Sequence, residues 1–377
     1  MAVFTNAKLF LPGKGFVPGG FRAEGGRFAD IFPAGTALAG ALNLQGARVI
    51  PGLVDIHTHG AAGADISDGD GEGLRRMAAH LAKCGVTSFV PTTMTLPYET
   101  LAAAFQTAAA LAEDRPADCA RVMGIHMEGP FFSEKKKGAQ NGAYLKLPDF
   151  EAFRALYEIC GGLVRIVDVA PELEGAAAFT GQAKALCTVS VAHTDADYEE
   201  AKAVFQAGAT HLTHLYNAMP PIHHRRPGVI GAASEQEDVK AELICDGLHV
   251  HPSAVRMAFR LFPGRICLVS DSLRCCGMPD GEYELGGQQV FLSGGVARLS
   301  DGTIAGAASD LYTDMRNAVA FGIPAEEAVE AATLRPAREI GRADEIGSIE
   351  IGKLADFVVC DEALLPSAVY IGGERIS

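Results

Sequence analysis

Residues 188–215, TVSVAHTDADYEEAKAVFQAGATHLTHL, carry the pattern from which the fold is read. Thr188–His193 is short, apolar and β-branched. Asp197–Ala207 repeats its apolar residues at helical spacing, and His211–Leu215 returns to the strand texture. Strand, helix, strand in so short a span is the mark of a βαβ unit and hence of a parallel sheet. The same alternation extends outward in both directions. Further strand runs are Arg48–His57, Thr87–Met94, Arg121–Glu128, Leu163–Val169, Ala241–Cys245 and Ile266–Ser270, and helical patterns cover Leu74–Cys84, Tyr98–Glu113, Phe150–Ile159 and Pro252–Leu261. Eight strand runs in all predict an α/β fold of the (β/α)8 TIM-barrel type. A doubly wound open sheet is the rival arrangement, and it would place a ligand at one switch point instead of around a ring.

The two ends read differently. Turn signals at Pro12-Gly13, Pro18-Gly19-Gly20, Gly25-Gly26 and Gly347-Ser348 separate short apolar runs. They predict a small β-sandwich domain, discontinuous in sequence, from residues 1–47 plus 346–377, beside a catalytic barrel of residues 48–345. Tyr283–Leu299 reads as an extra hairpin inserted late in the barrel.

Composition bounds the function. With 377 residues, 48% of them hydrophobic, the chain can bury a large core, and 32 Lys+Arg against 46 Asp+Glu give a net charge of −14. Such a charge excludes a nucleic-acid binder. No window of about 18 apolar residues occurs, so no membrane-spanning helix is expected. Met1–Phe10 lacks the basic and apolar succession of a secretory signal, and a cytoplasmic address is expected. The nine cysteines are odd in number and match neither a disulfide framework nor a CxxC site, so they are read as reduced. The absence of GxGxxG and P-loop strings argues against a nucleotide cofactor.

The chemistry collects at strand ends, which form one rim in a barrel. His57 and His59 stand at the end of the first run, Glu128 at the third, His193 at the fifth, His214 at the sixth, His249 after the seventh and Asp271 after the eighth. Alternation puts His57 and His59 on one strand face. Any one strand-end histidine is ordinarily a hydrogen-bonded structural residue, but four with a glutamate on one rim suit a divalent metal, Zn or Fe, with an open position for water. A carboxylate at Asp271 opposite such an ion completes the minimum set for hydrolysis, and an N-cap of the next loop is its plainer role. His80, His211 and His251 read as structural, and His126 as a packing residue one layer deeper. His223-His224-Arg225-Arg226 forms a basic spot suited to an anion or, equally, a solvated loop.

These strings resemble a known family, the N-acetylglucosamine-6-phosphate deacetylases of the amidohydrolase superfamily, along essentially the whole chain. They are Pro51–Gly60, His126-Met127-Glu128-Gly129-Pro130, Ala192-His193-Thr194, Thr213–Met219, Asp246-Gly247-Leu248-His249 and Leu268–Asp271. The resemblance implies that Glu128, His193 and His214 are metal ligands and Asp271 the catalytic acid/base. It implies substrate contacts from Ala139, Gln140, Asn217, Ala218, Arg225 and His249 and from the backbone of Ile304-Ala305-Gly306. It further implies a homodimer in which Arg225 reaches the neighbouring subunit's site. His57 and His59 would add a second ion, with Glu128 bridging. The implied reaction is hydrolysis of the acetamide of N-acetylglucosamine 6-phosphate. One position departs from the pattern: the family commonly has His where this chain has Gln140, and Gln hydrogen-bonds without carrying a proton. Alternatives are a deacetylase for N-acetylgalactosamine 6-phosphate, an amidohydrolase for cyclic amides, and a non-catalytic sugar-phosphate-binding barrel. The last has no need of Asp271.

Overall fold

The computed structural model describes residues 1–36 and 38–377. Its centre is a ring of parallel strands: β1 Leu53–Thr58, β2 Val86–Thr93, β3 Ile125–Met127, β4 Val164–Val169, β5 Thr188–Val191, β6 His211–Leu212, β7 Lys240–Ile244 and β8 Ile266–Val269. Each pairs with the next in sequence order. The ring closes where the Asp271 N–H donates to the His57 carbonyl at 2.9 Å and Thr58 bridges Ser272 in parallel. The fold is therefore the closed barrel, not the open sheet.

Strands β1, β2 and β8 are buried along their whole length, as parallel strands covered by helices must be. The helix Gly71–Lys83 shows how the cover is built. Leu74, Met77, Ala78 and Leu81 follow the i, i+3, i+4, i+7 rule and are all buried, and the Asp70 carboxylate accepts the Glu72 N–H at its start. Leu81→Ala would cost about 2–5 kcal/mol by leaving a cavity in that face. Tyr198–Ala207, the helix expected over Asp197–Ala207, opens on a reciprocal cap between Asp197 and Glu200. No helix among the described residues is long and apolar enough to cross a membrane.

Two expectations need correction, and between them the terminal β domain is met in a particular form. The run Arg48–His57 is two strands. Arg48–Pro51 pairs with Phe357–Cys360 and with Lys8-Leu9, so residues 48–51 belong to the terminal sheet and only Leu53–Thr58 to the barrel. The break is Gly52, where a Cβ would sit 2.1 Å from Thr87 Oγ1, so the chain crosses between sheets at the residue that has no side chain. Next, the termini form one hydrogen-bonded sheet of eight strands. It rolls over like a sandwich: Phe28 and Phe357 lie on strands four steps apart in that sheet, yet their ring centroids are 6.2 Å apart. Finally, the inserted hairpin is a four-stranded antiparallel sheet, Gly281–Leu285, Gln288–Ser293, Val296–Leu299 and Ile304–Ala307. Its last strand escaped notice because Ile304-Ala305-Gly306-Ala307 is too short and too small to show alternation.

Candidate metal centre and active site

The strand ends supply the site. Glu128 follows β3, and its backbone turns through Gly129 at φ 96°, where a Cβ would meet Thr95 Oγ1 at 2.1 Å. His193, His214 and Asp271 leave β5, β6 and β8 in the left-handed region, at φ 44°, 31° and 51°. For residues other than glycine this costs about 1–2 kcal/mol each, a strain that persists only where the surroundings over-determine it. Tyr216 and Ala218 continue the same strained loop.

Four imidazoles converge on the Glu128 carboxylate. Oε1 lies 3.0 Å from His193 Nε2, 3.2 Å from His214 Nε2 and 3.7 Å from His57 Nε2, and Oε2 lies 3.5 Å from His59 Nε2. His193 Nε2 and His214 Nε2 face each other at 3.0 Å. Partners on the far side orient three of the rings, while His214 Nδ1 has none among the described residues. His59 Nδ1 donates to the Thr92 carbonyl and His193 Nδ1 to the Lys136 carbonyl, both at 2.9 Å, and a carbonyl can only accept. His57 Nδ1 meets Glu242 Oε2 at 2.8 Å. For His57, His59 and His193 the Nδ1 partner leaves Nε2 as the nitrogen turned toward Glu128 and available to an ion, which is how second partners prepare histidines as ligands.

The residues fit a metal. The overlapping sets His57–His59–Glu128 and Glu128–His193–His214 each bring their ligand atoms within 4.8 Å of one another. His57 Nε2 is buried without a hydrogen-bond partner, an orphan that an ion would satisfy. Electrostatics agree. Although burial opposes it, hydrogen bonds from His193 and His214 hold the Glu128 carboxyl well below the usual range. Burial drives His57 well below its usual value, which keeps it a neutral ligand. Burial also works against a charged His59, but the Asp271 bond at 3.2 Å and the Glu128 charge hold it up to about 9 in the metal-free site. An ion there displaces that proton.

Above Glu128 opens a cavity of about 310 Å³. Glu128, His59, His193, His214 and Asp271 face it from the floor, and Ala139, Gln140, Asn217, Ala218, His249 and Ile304–Gly306 form its walls. Asp271 Oδ1 stands 3.2 Å from His59 Nε2 and 3.5 Å from His57 Nε2, and its side chain is buried, so the loop-capping role is set aside. His249 Nδ1 donates to Asp246 Oδ2 at 2.7 Å, which leaves Nε2 free. Gln140 is committed at both ends: Oε1 accepts the Thr95 N–H at 2.7 Å and Nε2 donates to Glu128 Oε2 at 2.6 Å. Gln140 thus lines the cavity and holds the Glu128 carboxylate at once. The inserted sheet supports this wall through a hydrogen bond from Gln288 Nε2 to the Ala139 carbonyl.

One expected residue stays away. Arg225 is exposed and lines a separate surface cavity with Asp195, Tyr198 and Glu235. No Arg or Lys lines the cavity above Glu128 among the described residues. His126 packs deeper as expected, bonded to Asp168 at 2.9 Å and to the Ile56 carbonyl at 3.1 Å. Sequence reasoning missed Glu242, the partner of His57, and Asp246, the partner of His249. A lone acid inside the apolar run Ala241–Cys245 was the available signal for the first, and the Asp-Gly-Leu-His spacing for the second.

Comparison with known proteins bears on this site. Residues 48–376 match the amidohydrolase family. The chain is 39% identical over 317 residues to the N-acetylglucosamine-6-phosphate deacetylase of Bacillus subtilis, covering 82% of this chain and 80% of the relative. It is 36% identical over 329 residues to the N-acetylgalactosamine-6-phosphate deacetylase of Escherichia coli O157:H7, covering 87% of each. The structure superposes on a mutant N-acetyl-D-glucosamine-6-phosphate deacetylase of Mycobacterium smegmatis, solved with N-acetyl-D-glucosamine-6-phosphate. The TM-score is 0.93 at 33% identity, over 100% of this chain and 99% of that one. A matching barrel, a matching family profile and relatives aligned over most of the chain agree: the chain belongs to the amidohydrolase family, alongside the hexosamine-phosphate deacetylases that it resembles.

Proposed function

We propose that this chain hydrolyses the acetamide of N-acetylglucosamine 6-phosphate to glucosamine 6-phosphate and acetate. The observation that carries the reading is Asp271 on the floor of one cavity with Glu128, His59, His193 and His214, and within 3.5 Å of the buried His57. Glu128, His193 and His214 would hold a divalent ion and His57 with His59 a second, and such an ion would supply Lewis-acid polarisation of the amide and activation of water. Zn or Fe suits this nitrogen and oxygen set. The chain's own residues do the rest. Asp271 accepts the proton of the attacking water and returns it to the leaving nitrogen, the two halves of general acid–base catalysis. His249, its ring fixed by Asp246, and Asn217 hold the sugar so that its acetamide lies over Glu128. The backbone of Ile304–Gly306 and Ala139 closes the cavity against bulk water.

The 6-phosphate needs a cation, and the cavity of a single chain has no Arg or Lys on its wall. We assign that role to Arg225 of a second copy in a homodimer, whose exposed loop also carries Ile222 next to Met257 of the neighbouring helix, both exposed apolar residues suited to an interface. Unpaired cysteines and a sugar-phosphate substrate support a cytoplasmic address. The test is acetate release from N-acetylglucosamine 6-phosphate and from its galactosamine counterpart, before and after metal removal. Faster turnover of the gluco sugar, lost with the metal and restored by it, is expected. Activity in a verified metal-free protein, or none on either sugar with metal restored, ends the proposal.

A further inference from the structure

Glu242 lies inside the barrel beneath Glu128, fully buried on β7, where its neighbours Ala241, Leu243 and Ile244 are apolar. A carboxyl there is costly unless it has a task, and the steps above do not use it. One of its oxygens has two donors. Oε2 accepts from His57 Nδ1 at 2.8 Å and from the His214 backbone N–H at 3.1 Å. Its main-chain carbonyl also accepts the Leu215 N–H at 2.9 Å. The other oxygen, Oε1, has no hydrogen-bond partner among the described residues, and the imidazole nitrogens of His126 and His211 stand 3.9 Å away. The carboxyl is thus oriented by His57 and His214 alone.

These two residues belong to different halves of the metal set, His57 with His59 and His214 with His193. The bond to Glu242 keeps the His57 proton on Nδ1 and its Nε2 lone pair toward Glu128. Without an acceptor the ring can take the other tautomer, whose Nε2–H cannot hold an ion. The same oxygen holds the backbone of His214 where φ is 31°, a conformation that needs outside support. We propose that Glu242 is a positioning residue that locks the His57 ring and the His214 turn together and thereby sets the ion affinity of the His57–His59 half. This rests on the reading of His57 as a metal ligand.

The test uses the full chain stripped with a chelator and titrated with Zn²⁺ or Co²⁺. Glu242→Gln keeps an oxygen that can accept both bonds, and Glu242→Met keeps the volume without an acceptor. The native protein and the Gln variant should take two ions. The Met variant should keep the first and bind the second roughly 10–100-fold more weakly. Two native-strength ions in the Met variant, with or without loss of thermal stability, overturn the inference. So does a Gln variant as impaired as the Met one, or a native protein saturating at one ion. Should the Met variant not fold, ¹⁵N NMR of the native metal-free protein decides: His57 protonated at Nδ1 is expected, and protonation at Nε2 instead overturns it. None of these measurements uses the sugar phosphate. Loss of ion affinity as expected in a chain that deacetylates neither sugar sinks the proposed function alone, and unchanged ions in an active chain sink this inference alone.

Discussion

Two histidine-rich places in this chain have opposite fates. His57, His59, His193 and His214 come from three strand ends and meet around one carboxylate, with the His57 and His214 rings 5.6 Å apart. His223-His224-Arg225-Arg226 is contiguous, its two rings are 4.5 Å apart, and it stands largely in solvent. Nearness in sequence makes a charged patch, whereas a site requires burial with partners. At the rim the rings are buried, and the acceptors of the Nδ1 protons of His57, His59 and His193 aim them. In the loop the contacts are local, His223 Nδ1 accepting the Arg225 backbone N–H, and both arginines face solvent.

The contrast breaks most sharply under Glu128→Ala set beside His224→Ala. The first should strip the tightest ion and cut kcat by more than about 10³-fold. The second should leave metal content unchanged and shift stability by less than about 0.5 kcal/mol. Elemental analysis and acetate release check both, and equal effects would erase the distinction. Asp271→Asn should keep ions and substrate while lowering kcat roughly 10²–10⁴-fold. A near-normal kcat would move the proton shuttle elsewhere.

Arg225→Ala sharpens the comparison, because it asks whether the exposed loop gains a purpose in a second copy. Loss of a charge-assisted phosphate contact should lower kcat/KM on the phosphorylated sugar about 10–100-fold and hardly affect the unphosphorylated one. Mixed dimers of Arg225→Ala and Asp271→Asn chains should regain one working site if the arginine acts in trans. No recovery would confine it to its own subunit.

The smallest effect is on pH. In the metal-free protein His59 is held up to about 9, above its ordinary 6.5, by Asp271 and Glu128 against the cost of burial. This contribution to stability is fully present below about 6.5 and lost as pH rises through about 9. An ion must displace that proton, so apparent affinity for the second ion should rise up to about tenfold per pH unit below about 9 and then level off. His59→Asn should flatten the slope. Calorimetric titration across pH 6–10 measures it, and a native slope unchanged by the substitution would remove His59 from the site.

Much of the site was legible because polar residues at strand ends of a βα repeat have one place to go. Glu128, His193, His214 and Asp271 were readable for that reason. Glu242 and Asp168 were not, since a single acid in an apolar strand means nothing until the residue across the barrel is known. For Asp168 that residue is His126, and for Glu242 it is His57. Gln140 read as a substrate contact, and only the fold brought Thr95 and Glu128 to its two ends.

By itself the sequence determined the barrel, the gathering of these polar residues on one rim and the family, because periodicity and strand-end motifs are local and survive without knowing which strands are neighbours. The tertiary structure alone decided the crossing at Gly52, the fourth strand of the inserted sheet, the orientations of the histidine rings and the separation of Arg225 from the cavity. The crossing and the ring orientations depend on contacts between residues far apart in the chain, Gly52 with Thr87 and His193 with Lys136, and such contacts form when burial removes the water that would otherwise satisfy both partners.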